Sequence, residues 1–286
     1  MTSGRASPVK FKISAIFGKS KSIIIGAVHF PPLLGYPDFP GFSVALRNAL
    51  ADAKTMIDGG VDGVIFENNY DLPHHIFVEP PVIAAMTHLG HHLKNTTKKP
   101  LGVNVLWNDF YSSLSLANVL GLKFVRVPVF VDKVKTDCGI IEGDPKAVLA
   151  FRKKIGAENV ALFTDIHVKH STLLSRHGLI ASARLAIRNK SDALIITGNW
   201  TGQAPDLVEL KALRAAIGNF PILVGSGANT ENIGALLRYA NGVIVSTSLK
   251  RGSNRKGEQN VKAYEQRIDP RKVREFIAAV RKSGRK

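Results

Sequence analysis

Residues 165–170 place four ionisable side chains directly after the apolar run at 160–163: Asp165, His167, Lys169 and His170. An apolar run that ends abruptly in charge is typical of a buried parallel strand that presents reactive groups at its C-terminal end. Three other apolar runs end in a polar residue in the same way: His29, Glu67 and Asn104. This recurrence predicts a barrel in which polar side chains at the C-terminal ends of the strands line one reaction site.

Glu67 and Asp165 are the candidate catalytic carboxyl groups. A carboxylate at the end of an apolar strand is costly to desolvate unless it is paired or used in a reaction. Cleavage of a glycosidic bond needs one protonated and one ionised carboxyl group, and these two residues could divide those roles. His29 and His167 are candidate assistants in proton transfer. Alternatively, His29 only forms a hydrogen bond with the turn that follows it.

Side chains two residues apart share one face of an extended strand, so Asp165, His167 and Lys169 are expected to point into the barrel together. Lys169 would then contact a phosphate; the alternative, a Schiff-base amine, generally needs a more desolvated pocket than a loop mouth. The two carboxylates and two histidines could also hold a divalent metal ion, although no spacing rule for a metal site is met. The cofactor is otherwise left open.

Seven residues near the strand ends are candidates for substrate binding: Asn68, Asn104, Asn108, Arg126, Lys169, Thr197 and Trp200. Arg126 lies inside the predicted fourth strand and is expected to pair with Glu67 or Asp165. The alternative is that this ion pair only holds the barrel interior together. Trp200 offers an aromatic face on which a sugar or a base could stack.

Two loops have the composition of a phosphate cradle. Gly225, Ser226 and Gly227 follow the seventh predicted strand, and Ser246, Thr247 and Ser248 follow the eighth. Small residues let backbone N–H groups approach an anion, and hydroxyl groups add hydrogen bonds. In barrels of this kind, the loops after these two strands often bind phosphate. The alternative is that the Gly-Ser-Gly segment is only a tight turn.

The elements that must position these residues are regular. Eight apolar runs are predicted as strands: 23–28, 63–67, 101–105, 124–129, 160–165, 193–197, 222–225 and 242–246. Amphipathic helical patterns lie between them, which predicts a parallel sheet with right-handed crossovers. We therefore predict an α/β fold, a single (β/α)8 TIM barrel of the ribulose-phosphate-binding type, over residues 1–286. Residues 1–21 form a basic N-terminal arm that closes the barrel floor. Residues 250–269 form a long basic loop, 270–286 a C-terminal helix with a basic tail, and 136–143 a lid.

The 286-residue chain is strongly basic, with 39 Lys and Arg against 22 Asp and Glu and a net charge of +17. Residues 250–286 alone carry 13 basic and 4 acidic side chains. A basic periphery favours anionic partners, here a phosphorylated metabolite or the surface of an anionic membrane, and alternatively only solvates the ends. No RNA-binding aromatic motif accompanies the charge, so nucleic acid is not expected as a partner. The single cysteine, Cys138, suits the cytoplasm, and no apolar run is long enough to span a membrane.

Seven blocks of the sequence resemble the BtpA family, whose members include the SgcQ proteins: residues 25–33, 60–68, 100–109, 136–143, 165–170, 197–202 and 224–227. The resemblance implies a ribulose-phosphate-binding barrel. It also implies two different roles from two branches of the family, a nucleosidase-type enzyme and a peripheral membrane protein in the biogenesis of photosystem I. Pro128 and Cys138 depart from the family pattern, and the former weakens a polar contribution from the fourth strand.

These observations predict a barrel that binds a phosphorylated or ribosyl small molecule, as an enzyme of nucleosidase or sugar-phosphate chemistry. The alternative is a non-catalytic assembly factor for a membrane complex, which would use its basic rim on anionic lipid. The oligomeric state, including a homo-oligomer, is left open.

Overall fold

The computed structural model of the protein describes residues 12–252 and 263–283. The strands in chain order are β1 (Ile23–His29), β2 (Gly63–Glu67), β3 (Leu101–Asn104), β4 (Phe124–Val127), β5 (Lys133–Thr136), β6 (Gly139–Glu142), β7 (Ala161–Ile166), β8 (Thr172–Leu173), β9 (Ala193–Ile196), β10 (Ile222–Val224) and β11 (Gly242–Val245). The helices are α1 (Ile13–Phe17), α2 (Phe42–Gly59), α3 (Pro80–Thr96), α4 (Phe110–Leu120), α5 (Pro145–Lys154), α6 (Leu179–Arg188), α7 (Leu207–Ile217), α8 (Ile233–Leu236) and α9 (Pro270–Ser283).

Eight parallel strands close into one barrel in the order β1-β11-β10-β9-β7-β4-β3-β2. The prediction of a (β/α)8 barrel is confirmed, and each predicted strand lies within two residues of an observed one. Apolar strand faces pack outward against the helices, whereas alternate residues fill the interior. None of the helices in the described ranges combines the length and the apolar composition that a bilayer crossing needs.

A polar residue just before three of the strands explains a short motif that recurs in the sequence. Asp62 accepts a hydrogen bond from the backbone N–H of Ile24 at 2.8 Å, and its own N–H donates to the Ile24 carbonyl. Asp192 and Asn241 do the same, as acceptors and donors, for Leu162 and Ile222 on their neighbouring strands. Each of these residues therefore satisfies backbone groups at the N-terminal edge of the barrel, where the ladder begins.

The floor of the barrel is closed by α1. Ile13 is buried among the interior side chains, and the Phe17 ring lies 5.8 Å from the Phe124 ring. Phe124 in turn stacks on Phe163 at 4.6 Å. We call these residues, with Ile65 beside them, the floor. Residues 1–11 of the predicted basic arm lie outside the described residues, as do 253–262 of the predicted loop and 284–286 of the tail.

The lid predicted at 136–143 stays a prediction, and the segment belongs to an antiparallel hairpin. β5 and β6 pair with each other, and β8, from the loop after β7, adds a third strand. Val134 and Ile141 face each other across the hairpin and pack on Trp107 in a small apolar cluster above the barrel. The third strand and this apolar packing stabilise the hairpin, which would be only marginally stable alone.

Candidate active site at the carboxyl ends of the strands

Strand register brings five polar side chains together at the carboxyl end of the barrel. His29 lies opposite Glu67 in the β1–β2 pairing, and Glu67 lies opposite Asn104 in the β2–β3 pairing. Arg126 and Asp165 reach the same place from β4 and β7. We call these five residues the mouth cluster. Its members share one end of the barrel because parallel strands present their carboxyl ends on the same side.

Arg126 joins the two carboxylates of the mouth cluster. Its Nε and Nη2 atoms donate to the two oxygens of Asp165, each at 2.8 Å. Its Nη1 atom donates to Oε1 of Glu67 at 3.1 Å, and Asn104 donates to the same oxygen at 3.3 Å. The expected pairing of Arg126 is therefore confirmed with both carboxylates, and all three side chains are buried. A bidentate pair of this kind is among the strongest polar contacts that a barrel interior can hold.

The two carboxylates have different surroundings. Both oxygens of Asp165 are occupied by Arg126, which favours the structural role over proton transfer for this residue. In Glu67, Oε2 accepts no hydrogen bond from the described residues and lies 3.6 Å from Nε2 of His29. Burial would raise the pKa of Glu67, but Arg126 and then His29 outweigh it and hold the pKa below its ordinary value. Glu67 is thus the carboxylate with an available oxygen.

His29 is held in its neutral form. Burial lowers the pKa of its imidazole to about 3, and Lys250 acts in the same direction, while Glu67 opposes. The Nδ1 atom of His29 is buried and has no hydrogen-bond partner among the described residues. The alternative, a hydrogen bond from Nδ1 to the following turn, is therefore not found in that part of the chain, and the ring lies against Glu67 and Tyr70.

His167 does not share a face with Asp165, so that expectation is wrong. β7 ends at Ile166, and His167 has a φ of 51°, which breaks the alternation of the strand. Its backbone N–H donates to Asp132 at 3.1 Å, and its ring is influenced by Asp132 and by Glu209 of α7. His167 thus lies away from the mouth cluster, and an assisting role next to Glu67 loses its geometric basis.

Asn68 and Asn108 use their amide groups to tie loops together. Asn68 accepts from the N–H of Leu106 at 2.7 Å and donates to Asp71 at 3.0 Å. Asn108 donates to and accepts from the backbone of Val129, at 2.9 and 2.8 Å. Both residues were expected to bind substrate, but their hydrogen-bonding groups fix the loops after β2, β3 and β4 instead.

Lys169, Thr197 and Trp200 lie at the rim on the opposite side. The Thr197 hydroxyl accepts from the N–H of Lys169 at 3.0 Å, and the amine of Lys169 donates to Thr201 at 3.3 Å. The Trp200 ring is 51% exposed and lies edge-on to the ring of His170 at 5.3 Å. Trp200 therefore offers the accessible aromatic face that the sequence predicts.

The expected phosphate cradle divides into two kinds of residue. Ser226 accepts from the N–H of Gly202 and donates to the Trp200 carbonyl, while the Ser248 hydroxyl donates to the Ala228 carbonyl. The hydroxyl of Ser246, by contrast, is buried without a hydrogen-bond partner in the described part of the chain. Thr247 begins a single 3-10 turn, Thr247–Leu249, beside it.

The two glycines of the cradle are required by packing. Gly227 has a φ of +71°, and a side chain there would meet the backbone of Ala204 at 2.0 Å. Gly225 lies against Ile195 at the level of Arg126, where an added Cβ would be 2.6 Å from the Ile195 side chain. The alternative interpretation, a tight turn under the loop after β9, therefore accounts for both glycines.

Two buried carboxylates outside the mouth were missed from the sequence. Asp132 accepts from Ser182 at 2.6 Å and from His177 at 3.1 Å, and it could have been noticed as a lone acid after the apolar run at 127–131. Asp52 pairs with Arg267 at 2.8 Å, across more than two hundred residues, which no local pattern signals. Within the described ranges, no three His, Cys, Asp or Glu side chains come together to hold a metal.

A groove of about 630 Å³ lies on the outer surface between α6 and α7. It is lined mainly by apolar atoms, together with Arg184, Arg188 and Glu209. The groove is remote from the mouth cluster and lacks convergent buried polar groups. We therefore place the candidate site at the strand ends, where such groups converge.

Comparisons with known proteins agree with this architecture. The family model described as "BtpA family" matches residues 20–282. The photosystem I biogenesis protein BtpA of Synechocystis is 37% identical over 260 residues, which cover 90% of this chain and 87% of that protein. An uncharacterised protein of Pyrococcus furiosus is 37% identical over 232 residues, with 81% and 87% covered.

Among solved structures, N-(5'-phosphoribosyl)anthranilate isomerase from Pyrococcus furiosus is similar, with a TM-score of 0.56 at 12% identity. The similarity covers 91% of this chain and 99% of the isomerase, and it shows the shared fold. The family match spans all eight barrel strands, including every residue of the mouth cluster. The chain therefore belongs to the BtpA family.

Proposed function

We propose that this barrel binds a phosphorylated or ribosyl small molecule at its mouth and acts on it as an enzyme. One observation carries the proposal. Five buried polar side-chain atoms have no hydrogen-bond partner among the described residues, and three of them lie at the ends of β1, β3 and β11: Nδ1 of His29, Oδ1 of Asn104 and the hydroxyl of Ser246. The other two are Nε2 of His74 and Nε2 of His167, which lies away from the mouth cluster. Buried polar groups are nearly always satisfied in folded proteins, so a set of unsatisfied ones at one end of a barrel calls for a ligand.

The positions of these atoms support a sugar-like ligand. Ser246 follows β11, and His29 and Asn104 are the last residues of β1 and β3. These strands lie within four consecutive strands of the barrel. Asn104 presents an acceptor and Ser246 presents a hydroxyl, which match the hydroxyl groups of a ribosyl unit. The carboxylates of Glu67 and Asp165 would repel a phosphate placed directly on them. The phosphate end is therefore assigned to the loops that contain Ser246 and Ser226.

Glu67 is the proposed proton-transfer residue. Its Oε2 atom accepts no hydrogen bond from the described residues, while Arg126 and Asn104 hold Oε1 and so fix the direction of the carboxylate. Because its pKa lies below the ordinary value, Glu67 is ionised at neutral pH and acts first as a base. Asp165 acts through Arg126 as a positioning residue.

The test is a thermal-shift panel at fixed ionic strength with inorganic phosphate, sulfate, ribose 5-phosphate, ribulose 5-phosphate and nucleosides. We expect one sugar phosphate or nucleoside to stabilise the protein well beyond the simple anions, since a ligand specific to the native state raises its stability. NMR spectra of that ligand would then report its conversion. Glu67→Gln should abolish conversion, and Glu142→Gln, an exposed residue of β6, should not.

A second function, assembly of a membrane complex, is favoured by one surface feature and by the similarity to the photosystem I biogenesis protein of Synechocystis. The outer face of α9 exposes four basic side chains: Arg271, Arg274, Arg281 and Lys282. Such a face suits anionic lipid. Equal shifts with every anion, unaffected by Glu67→Gln, would contradict the enzyme and move this function ahead.

A further inference from the structure

Lys169 lies in a loop, yet charged residues of several barrel strands act on its amine. The chain turns at His167, and the N–H of Lys169 is then held by Thr197 at the end of the neighbouring β9. The residue is half-buried, and its amine donates to Thr201 at 3.3 Å. Burial lowers the pKa of this amine to about 8, with Arg126 acting in the same direction and Glu67 and Asp165 opposing. The amine therefore lies at the rim of the mouth in a partly desolvated position.

The charged neighbours of Lys169 come from several strands. The charges of Arg126 on β4, Glu67 on β2 and Asp165 on β7 all act on its amine. The charge of Lys169 also lowers the pKa of His29, on β1, and of His170, next to it in the chain. The amine is thus within electrostatic reach of the whole catalytic end of the barrel.

This surrounding disfavours a simple anion contact. The charges of Glu67 and Asp165, which act on the amine, also repel a phosphate or carboxylate ligand, and an amine that loses part of its charge near neutral pH attracts an anion less. The same carboxylates stabilise a positive charge that forms on the nitrogen. A neutral amine in a desolvated pocket beside a guanidinium is the arrangement in which lysine serves as a nucleophile.

We propose that Lys169 captures the carbonyl carbon of the substrate as a protonated imine. This inference rests on the proposed function and narrows its ligand to the open-chain form of an aldose or ketose phosphate. A nucleoside is excluded because its sugar has no free aldehyde or ketone group. The nitrogen lone pair forms a C–N bond while the carbonyl π electrons move to oxygen, which takes up a proton. The carbinolamine then loses water, so that amine, carbonyl compound and one proton give one iminium ion and one water molecule.

Borohydride trapping tests this inference directly. The protein is incubated with ribose 5-phosphate or ribulose 5-phosphate, the imine is reduced to a stable secondary amine by hydride addition, and the modified lysine is located by peptide mass spectrometry. We expect Lys169 to be labelled at least tenfold more than any other lysine. The labelling should increase as the pH is raised from about 6.5 to about 8.5, because the neutral amine is the reactive form.

Variants and control ligands complete the design. Lys169→Arg keeps a positive charge and should lose the label, whereas Lys211→Arg, an exposed residue of α7, should keep the wild-type pattern. Adenosine, which has no free carbonyl group, should give no adduct. Because the mapping on the wild-type protein identifies the lysine by itself, the result does not depend on the folding of Lys169→Arg.

The outcomes separate the two proposals. If a sugar phosphate stabilises the protein selectively but the label is spread over surface lysines, the imine is overturned and the proposed function stands. If only a nucleoside stabilises the protein and Lys169 is not labelled, the imine is again overturned and the proposed function stands. If no sugar phosphate and no nucleoside shifts the melting temperature and Lys169 is not labelled, both proposals fail together.

Discussion

The floor and the mouth of this barrel are built from the same strands, two residues apart. In β4, Phe124 belongs to the floor and Arg126 to the mouth. In β7, Phe163 and Asp165 have the same relation, because side chains at i and i+2 share the inward face. In both strands, a shift of two residues therefore leads from the aromatic layer to the ionic layer. Position along the strand, and not the choice of strand, separates packing from chemistry.

The two layers stabilise the fold in different ways. The floor gains free energy from the burial of large apolar area. The mouth gains little from its ions, since the desolvation of buried charges offsets much of their attraction. A barrel selected for stability alone could fill this layer with apolar side chains. The ionic layer therefore supports the proposed reaction. Floor variants remove apolar burial, whereas mouth variants leave buried charges without a partner.

Arg126→Met should have the largest effect on stability. It leaves Glu67 and Asp165 buried without their common partner, and breaking a buried pair in this way costs about 3–5 kcal/mol. Urea unfolding, followed by circular dichroism, measures the change. A loss below about 1 kcal/mol would mean that water replaces the guanidinium, and the description of the mouth cluster as a buried ionic layer would be wrong.

Phe163→Leu tests the floor with a smaller change. We expect a loss of about 1–2 kcal/mol from reduced apolar burial and a small cavity next to Phe124. The same urea titration measures it, and the thermal shift given by the sugar phosphate should be unchanged. If this variant lost ligand binding as fully as a mouth variant does, the separation of the two layers would be contradicted.

The barrel itself was predictable because its signals are local. Each buried strand is a short apolar run, and the polar residue that ends it identifies the mouth, as with Glu67 and Asn104. The hairpin was also within reach, since Val134 and Ile141 flank a turn that ends in Gly139. The sequence predicts only a lid over residues 136–143, because these two apolar residues stand among polar ones.

Other features depend on contacts that the sequence does not encode locally. The positive φ of His167 moves its ring from the mouth to Asp132, thirty-five residues away. The amides of Asn68 and Asn108 are used by loops that only the closed barrel brings near them. Residue types at a strand end therefore predict a site, but partners decide which of those residues remain available to a ligand.

The pH dependence of stability sharpens the contrast through His29. Its folded-state pKa is about 3, below the ordinary 6.5, so the unfolded chain binds more protons between these values. The contribution of His29 to the free energy of unfolding is therefore fully present above pH 6.5. It decreases as the pH falls towards 3, by up to about 1.4 kcal/mol per pH unit.

The variant His29→Gln cannot titrate in this range, and its acid-side slope in urea unfolding should be shallower than that of the wild type. His91→Gln, an exposed residue of α3, should keep the wild-type slope. Identical slopes for all three proteins would show that the His29 ring is charged in the folded state. Its proposed contact with Glu67 would then be an ion pair.

The smallest effect on stability is expected from Ser246→Ala, and it is the most informative about function. The Ser246 hydroxyl is buried without a partner in the described residues, so its removal should change the free energy of unfolding by less than about 1 kcal/mol in either direction.

Ser115→Ala is the matched control, since it removes a hydroxyl bonded within α4, on the outside of the barrel. If the hydroxyl of Ser246 is kept for a ligand, Ser246→Ala should weaken sugar-phosphate binding at least fivefold by calorimetry while Ser115→Ala leaves it unchanged. Equal affinities in both variants would mean that the unsatisfied hydroxyl is a local defect of packing, and the phosphate end of the ligand would have to be sought elsewhere at the mouth.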